Sequence, residues 1–271
     1  MEPALTVGLL WLLFGGLHIG LATRRPRAAL VARLGERGFT TLFSLIAAVM
    51  FVVVVRFYAN HRLEGAPGLA LGDVAALRWP LMAMIGFGIA LALASLVSSY
   101  AASPMAILTH TVRPPHGLER ITRHPFFMGF ALASLAHVLL ATRLVGAVFQ
   151  AGIATVMIVG AWHQDRKLLV LRGRPYEAYL AATSAVPFVA ILAGRQRLVW
   201  RELPYGALAA CAAIAVSLRV VHGAIFDHGG AWVIVATLGG AAGAGLASAW
   251  HARRRRRRLP DAAGLAGRPA A

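Results

Sequence analysis

Seven apolar segments, each close to the length of a membrane-spanning helix, constrain the fold of this chain more than any other feature. A helix needs about 20 apolar residues to cross the hydrocarbon core of a bilayer. Only 14% of the 271 residues are charged, against about 25% in soluble domains. The sequence therefore predicts an all-α, polytopic membrane bundle of about seven transmembrane helices, at residues 5–22, 39–55, 80–99, 125–141, 144–162, 205–223 and 231–250.

The basic residues fall mainly in alternate loops. The loops after segments one, three and five and the C-terminal tail hold most of the 27 Lys and Arg residues, whereas the other loops carry few. Basic residues favour the cytoplasmic side of a membrane. The pattern predicts an N-terminus outside and a C-terminus in the cytoplasm. A net charge of +17 would suggest nucleic acid for a soluble protein, but these arginines flank apolar segments. The lipid bilayer is therefore the expected partner, and no nucleic acid is expected.

A charged stretch precedes Pro125, at the start of the fourth segment. Arg120, Arg123 and His124 lie before the proline, and the residues after it are apolar. Proline suits the first turn of a helix, where its missing N–H group loses no hydrogen bond. The pattern predicts a membrane helix that begins at Pro125, with the basic side chains at the water boundary.

Three of the ten histidines, His18, His137 and His222, fall inside predicted spans. Ionisable side chains in hydrocarbon are costly and usually have a partner or a function. Two facing imidazoles could ligate a haem iron, and a hydrogen bond to a neighbouring helix is the structural alternative. The single cysteine, Cys211, excludes an internal disulfide and a multi-cysteine metal site.

A second polar cluster follows segment five, on the side of the membrane predicted for Arg123. It contains Asp165, Tyr176, Glu177 and Tyr179. An ion pair between Arg123 and either Asp165 or Glu177 is one interpretation. The other is a basic pocket for an anionic headgroup or for cofactor carboxylates such as haem propionates, which arginine binds with two parallel hydrogen bonds.

A set of short motifs occurs in order over roughly residues 10–197. They are His18-Ile-Gly-Leu-Ala, Arg33-Leu-Gly-Glu-Arg37, Arg120-Ile-Thr-Arg-His-Pro125, Leu135-Ala-His137, Gly160-Ala-Trp-His-Gln-Asp-Arg-Lys167, Tyr176-Glu-Ala-Tyr179, Thr183-Ser-Ala-Val-Pro-Phe-Val-Ala-Ile191 and Gly194-Arg-Gln. Together these motifs resemble the NnrU-like family of bacterial membrane proteins, which includes the plant and cyanobacterial 15-cis-zeta-carotene isomerases.

The resemblance implies a multi-pass protein of the bacterial inner (plasma) membrane. It further implies an association with nitrite and nitric oxide metabolism (denitrification) or with isomerase-like chemistry on a hydrophobic small molecule. The isomerase branch implies haem b with two histidine ligands, which fall on His18 and His137 of this chain, and Arg123 and His124 are further candidates for binding the cofactor. In the isomerases, a cysteine three residues before the second histidine is the proposed alternative iron ligand, and the redox state controls which ligand binds. This chain has Ser134 at that position and so departs from the redox-switched isomerase mechanism.

The two candidate ligands lie at different predicted depths. His18 is about four residues from the cytoplasmic end of its helix and His137 about twelve, an offset of roughly 12 Å. A shared iron needs both imidazole nitrogens about 2 Å away. The pairs His18 with His124 and His137 with His222 therefore remain open as alternatives.

The same interpretation divides the chain into three parts. Residues 1–198 are predicted to form an NnrU-like membrane domain of five spans plus an interfacial segment at 186–193, which is too short to cross a bilayer. Residues 199–251 are predicted to add two transmembrane helices, and residues 252–271 to form a basic tail without fixed structure.

Two other functions are compatible with the sequence. One is a cofactor-free membrane accessory or transport protein. The other is an S-adenosylmethionine-dependent membrane methyltransferase, because isoprenylcysteine and phospholipid methyltransferases share an Arg-His-Pro at a helix start. Those enzymes typically use paired glutamates in a later motif, where this chain has Gln164 and Asp165.

Overall fold

A computed structural model describes residues 2–96, 98, 100–103 and 112–258. These residues form ten α-helices and no β-strand, which confirms the predicted all-α class for this part of the chain. Ser99, His110 and residues 259–271 lie outside the described residues. The helices are α1 (Pro3–Ala22), α2 (Arg24–His61), α3 (Ala75–Leu96), α4 (Leu118–Ile121), α5 (Pro125–Leu140), α6 (Leu144–Arg172), α7 (Arg174–Ala182), α8 (Val189–Leu192), α9 (Tyr205–Val220) and α10 (Asp227–Arg258).

Four helices, α1, α2, α3 and α6, are long and apolar enough to cross a membrane, and α5 and α9 are shorter apolar helices of 16 residues each. Large apolar side chains cover their outward faces; Leu12 is 72% exposed and Val216 66% exposed. Apolar surface on this scale indicates a bilayer environment. All seven predicted segments contain helix, while the count of seven spans and their orientation stay predictions.

The helices pack in a row, with each contacting the next in the order α10, α2, α1, α6, α5, α3 and α9. At one end of the bundle, along the helix axes, the Ala66 amide donates to the Glu2 carboxylate and the Gly68 amide donates to the Thr142 carbonyl. These bonds hold the start of α1, the α2–α3 loop and the α5–α6 turn together. The α9–α10 turn lies at this end as well, because Arg62 at the end of α2 donates to the Phe226 carbonyl and pairs with Asp227. The connections from α1 to α2, from α3 to α5 and from α6 to α9 lie at the other end.

Two glycines allow α3 and α5 to cross closely. A Cβ atom on Gly88 would lie 2.5 Å from the Gly129 carbonyl oxygen, and a Cβ atom on Gly129 would lie 2.5 Å from the Gly88 carbonyl oxygen. Only glycine permits this approach of the two backbones. The crossing fixes α5 between α3 and α6, and so fixes the position of the residues at its N-terminus.

We expect Gly88→Ala to lower the free energy of unfolding by about 1–3 kcal/mol, since the new methyl group must push α3 and α5 apart. Thermal unfolding of the detergent-purified protein measures the effect. Gly86→Ala is the matched control, because a Cβ atom there meets nothing within 4 Å. Equal stability of the two variants would contradict the close crossing.

Candidate functional site

The stretch before α5 is held in an extended conformation by the segment that precedes α8. Helix α4 ends at Ile121, and α5 begins at Pro125, as the sequence predicted. The Arg123 amide donates to the Ser184 carbonyl at 2.9 Å, and the Phe188 amide donates to the Ile121 carbonyl at 2.8 Å. This pairing turns the side chains of Arg123 and His124 toward α6.

Asp165 of α6 is the centre of the polar cluster. Arg123 Nε donates to its Oδ2 at 2.8 Å, and Arg123 Nη2 lies 2.8 Å from the same oxygen. His124 Nε2 lies 2.8 Å from Oδ1, and the Tyr176 hydroxyl donates to Oδ1 at 2.7 Å. Both carboxylate oxygens are therefore occupied, and one side chain joins the start of α5, the body of α6 and α7.

His124 is completely buried, and its surroundings determine where its proton lies. A carboxylate only accepts hydrogen bonds, so the short contact with Asp165 assigns the proton to Nε2. Nδ1 has no hydrogen-bond partner among the described residues. The ring of Phe127 packs edge-to-face against the imidazole at 5.7 Å. His124 thus acts here as a buried donor to Asp165, with the Phe127 ring against its imidazole.

A second buried carboxylate, Glu119 of α4, lies next to this cluster. It accepts hydrogen bonds from the Ala101 amide at 2.7 Å and from the Tyr179 hydroxyl at 3.0 Å. Tyr179 stacks on Tyr176 at 5.5 Å, so α7 connects the two carboxylates. Burial and then the neighbouring carboxylates raise the pKa of both phenols, Tyr176 beside Asp165 and Tyr179 beside Glu119. Both therefore remain protonated donors at neutral pH.

A third carboxylate, Glu202, anchors the connection before α9. Arg120 binds it with two parallel hydrogen bonds of 2.7 and 2.9 Å, and the Gly117 amide donates to it at 2.9 Å. The Arg120 bonds, followed by the Gly117 bond, lower the pKa of Glu202 to about 2. Arg120 is thus committed to a structural ion pair and lies outside the Asp165 cluster.

A pocket of about 300 Å³ lies between α5 and α6 and ends at the Arg123–Asp165 pair. Met128, Ala131 and Ala161 form its buried floor. Apart from the ion pair, its lining is apolar, so the pocket is a hydrophobic cavity with one polar end. This volume is at the lower limit for small-molecule sites in proteins.

The structure does not bring His18 and His137 together. Helix α6 packs against both α1 and α5, so it relates their positions along the bundle axis. Gly15 of α1 lies against Val156 of α6, and Phe127 of α5 lies against Gly160, one turn further along α6. His18 then lies at the level of Phe127. His137, ten residues further along α5, is roughly 15 Å away along the bundle.

Each of these histidines has another neighbour. His18 stacks on Phe14 at 5.4 Å and lies 4.8 Å from the ring of Phe43. His137 lies 6.1 Å from His222, ring centre to ring centre, with the two planes within 8° of parallel. His137 and His222 are one of the pairs that the sequence left open.

Sequence reasoning identified Arg123, His124, Asp165 and Tyr176 but missed Glu119 and Glu202 as partners. Glu119 lies within the Arg-His-Pro motif region, where a lone acidic residue among arginines and apolar residues is a usable signal. Glu202 pairs with Arg120 across more than 80 residues of chain, and no local pattern marks it. Glu177, the alternative partner for Arg123, is exposed on α7.

The comparisons with known proteins agree with the resemblance seen in the motifs. A sequence profile of the family described as NnrU protein matches residues 5–234. The chain is 31% identical over 224 residues to 15-cis-zeta-carotene isomerase, chloroplastic, of Arabidopsis thaliana, and 30% identical over 235 residues to the protein of the same name in Zea mays. These alignments cover 77% and 81% of this chain. No solved structure matches it.

The chain spans 58% of the length of each of these curated relatives. The matched region extends past residue 198, through α9 and into α10. The division of the chain at residue 198 and the location in a bacterial inner membrane stay predictions, and both relatives are described as chloroplastic.

We expect Asp165→Asn to lower the free energy of unfolding by about 3–5 kcal/mol, because Arg123 would lose its counter-charge at a largely buried position. Tyr176→Phe removes a single charge-assisted hydrogen bond and should lower the free energy of unfolding by about 1.5–3 kcal/mol. Thermal unfolding in detergent measures both. Glu177→Gln, on the exposed face of α7, is the control, and its free energy of unfolding should stay within about 0.5 kcal/mol of the wild-type value. An Asp165→Asn protein as stable as this control would refute the central role of the cluster.

Proposed function

This chain belongs to the NnrU protein family, and from that premise we propose that it is an isomerase-like membrane protein. Its proposed substrate is an apolar isoprenoid that enters the pocket between α5 and α6 from the bilayer. The name of the two relatives supports the choice of reaction and substrate class. The observation that carries the proposal is the pocket itself.

The pocket has the features that a substrate from the lipid phase requires. Leu135, Ile158, Trp162 and Val186 line it and are each more than a third exposed, so they form a rim open to the surroundings of the bundle. The floor is buried, and the cavity closes at the polar cluster. An apolar molecule could therefore move from lipid into the cavity without crossing water.

The proposal is tested with the protein in nanodiscs, supplied with haem and a reductant, and with 15-cis-zeta-carotene as the probe. Chromatography of the extracted pigment measures the conversion of the cis isomer. We expect Leu135→Trp to lower the rate about tenfold or more, since the larger ring narrows the rim of the pocket. Leu12→Trp, at an equally apolar but distant exposed position, should leave the rate unchanged. A wild-type rate equal to that of empty nanodiscs would overturn the proposal.

We further propose that haem b is the cofactor and that His137 and His222 hold it. Two nitrogens on one iron, each about 2 Å from the metal, place parallel ring centres roughly 6 Å apart. The observed separation of 6.1 Å matches this spacing, and the two rings, which are stacked in this structure, would have to turn so that one nitrogen of each points at the iron. The Nδ1 group of His137 lies 2.8 Å from the Ala133 carbonyl. As a donor there it leaves Nε2 free as the ligand atom, a usual arrangement for metal-binding histidines. When bound, haem would supply a redox-active iron.

Absorption spectra of the protein purified from haem-replete cells test this assignment. We expect a Soret band in the wild type, and its loss or a marked shift in His137→Ala and His222→Ala. His61→Ala is the control, because His61 stacks on Phe57 and bonds its carbonyl, away from His137 and His222. A changed spectrum in His18→Ala, with no change in His222→Ala, would indicate that His18 and not His222 is the iron ligand. Absence of a Soret band would exclude haem.

The association with denitrification stays a prediction. The relatives named above carry no nitrogen-oxide activity in their descriptions, and no described feature of the pocket favours an inorganic substrate over an apolar one.

A further inference from the structure

The connection between α1 and the main part of α2 is longer than two packed helices need. The rings of His18 and Phe43 lie 4.8 Å apart. The two helices run in opposite directions, so Ala22, one turn after His18, and Phe39, one turn before Phe43, lie at the same level along the bundle. The chain between Ala22 and Phe39 therefore leaves this level and returns to it within residues 23–38.

Residues 24–34, the first part of α2, form a separate helix within this connection, which we call the basic segment. Gly35 ends this helix with a φ of 72° and a ψ of 168°, which are not helical values. The basic segment is about 16 Å long. If it ran along the bundle axis, no further segment would bring the chain back to the level of Phe39. The basic segment therefore runs across the axis, parallel to the membrane surface.

Arg27 ties the basic segment to the level of Phe39. Its guanidinium group lies 5.3 Å from the centre of the Phe39 ring, and its Nη2 donates to the Glu36 carboxylate at 2.6 Å. The first turn of the basic segment thus lies beside the helix that follows Gly35. Because Arg27 neutralises Glu36, the other arginines of the segment are left with an uncompensated positive charge.

The basic segment lies at the level of a side chain that is typical of a membrane boundary. Helices α1 and α6 run in the same direction, with Gly15 against Val156, so Ala22 lies at the level of Trp162. Trp162 is 54% exposed, and the Arg166 guanidinium group lies 3.7 Å over its ring. Tryptophan rings and the charged ends of long basic side chains favour the lipid headgroup region. The basic segment therefore lies among the headgroups.

Apolar and basic side chains occupy different sides of the basic segment. At about 100° of turn per residue, the three large apolar side chains share an arc of about 100°. They are Leu30, Val31 and Leu34, and the arginines on the remaining arc are Arg24, Arg25 and Arg33. All three arginines are exposed, and none has a hydrogen bond or an ion pair within the described part of the chain. A helix of this kind lies flat in a membrane interface, with its basic side available to the headgroups.

We propose that the basic segment binds the headgroups of anionic phospholipids through Arg24, Arg25 and Arg33. A guanidinium group binds a phosphate with two parallel hydrogen bonds, and three uncompensated positive charges favour a lipid with a net negative charge over a zwitterionic one. Each basic residue near an anionic membrane surface strengthens binding about fivefold. The segment is thus an anchor that selects lipids by charge, and its role does not depend on the proposed isomerase-like activity.

Spin labels in nanodiscs of phosphatidylcholine and phosphatidylglycerol test the orientation of the segment. Cys211→Ala removes the native thiol, and Ala28→Cys or Ala32→Cys then places one label at an exposed position on the basic side. Accessibility to oxygen in the lipid and to a nickel chelate in water gives the depth of each label. We expect the two depths to agree within about 2 Å, whereas on a helix along the membrane normal they would differ by about 6 Å. A difference near the larger value, or both labels in bulk water, would overturn the proposal.

Native mass spectrometry of the detergent-purified protein tests the choice of lipid. We expect the wild type to bind dioleoylphosphatidylglycerol about tenfold or more tightly than dioleoylphosphatidylcholine. The triple variant Arg24→Gln, Arg25→Gln, Arg33→Gln removes the charges but keeps good helix formers, and its preference should fall to within about twofold.

The matched control changes three other exposed arginines at the same end of the bundle, which likewise have no partner within the described part of the chain. It is the triple variant Arg174→Gln, Arg197→Gln, Arg201→Gln, and it should keep the wild-type preference.

Three outcomes of the binding measurement would contradict the proposal. One is equal binding of the two lipids by the wild type, or a preference that persists in the variant of the basic segment. Another is an equal loss of preference in the control, since net charge alone would then set it. The third is release of bound phosphatidylglycerol by an equal concentration of glycerol phosphate, which would assign the surface to a soluble phosphate compound instead of a lipid.

Discussion

The carboxylate of Asp165 holds together the parts of the molecule that form the candidate site. It lies on α6, yet its partners come from the start of α5 and from α7, and each approaches within 2.8 Å. A buried ion pair contributes little to stability compared with apolar packing, but removing one member leaves an unpaired charge and is strongly destabilising. The cluster therefore fixes geometry more than it adds net stability, and that geometry gives the pocket its polar end.

The position of α5 follows from two separate constraints. Its contact with α3 requires Gly88 and Gly129, where the backbones come too close for any side chain. Its N-terminus is bound through Arg123 to Asp165 and to the Ser184 carbonyl. Because both constraints act on one short helix, the pocket between α5 and α6 has a fixed floor, while its rim consists of exposed apolar side chains.

Some of the side-chain pairs at the site could be predicted from the sequence, and others could not. The interpretation that Arg123 pairs with Asp165 or Glu177 was available from charge alone, and burial of Asp165 on α6 selects between them. The contact of Arg120 with Glu202 joins residues distant along the chain, so it depends on how the α8 segment folds back. The neighbours of His137 depend on the register of α5 against the α9–α10 turn, which hydropathy does not encode.

By itself, the sequence determined the helical class, the apolar segments, the helix start at Pro125 and the family, because these depend on local composition, on proline chemistry and on ordered motifs. Only the tertiary structure decided which polar groups meet. It joined Arg123, His124 and Tyr176 on Asp165, placed His137 beside His222 rather than His18, and opened a cavity between α5 and α6. The physical reason is that helix register and crossing distance are set by side-chain packing between elements far apart in the chain, and a linear pattern of residue types does not specify that packing.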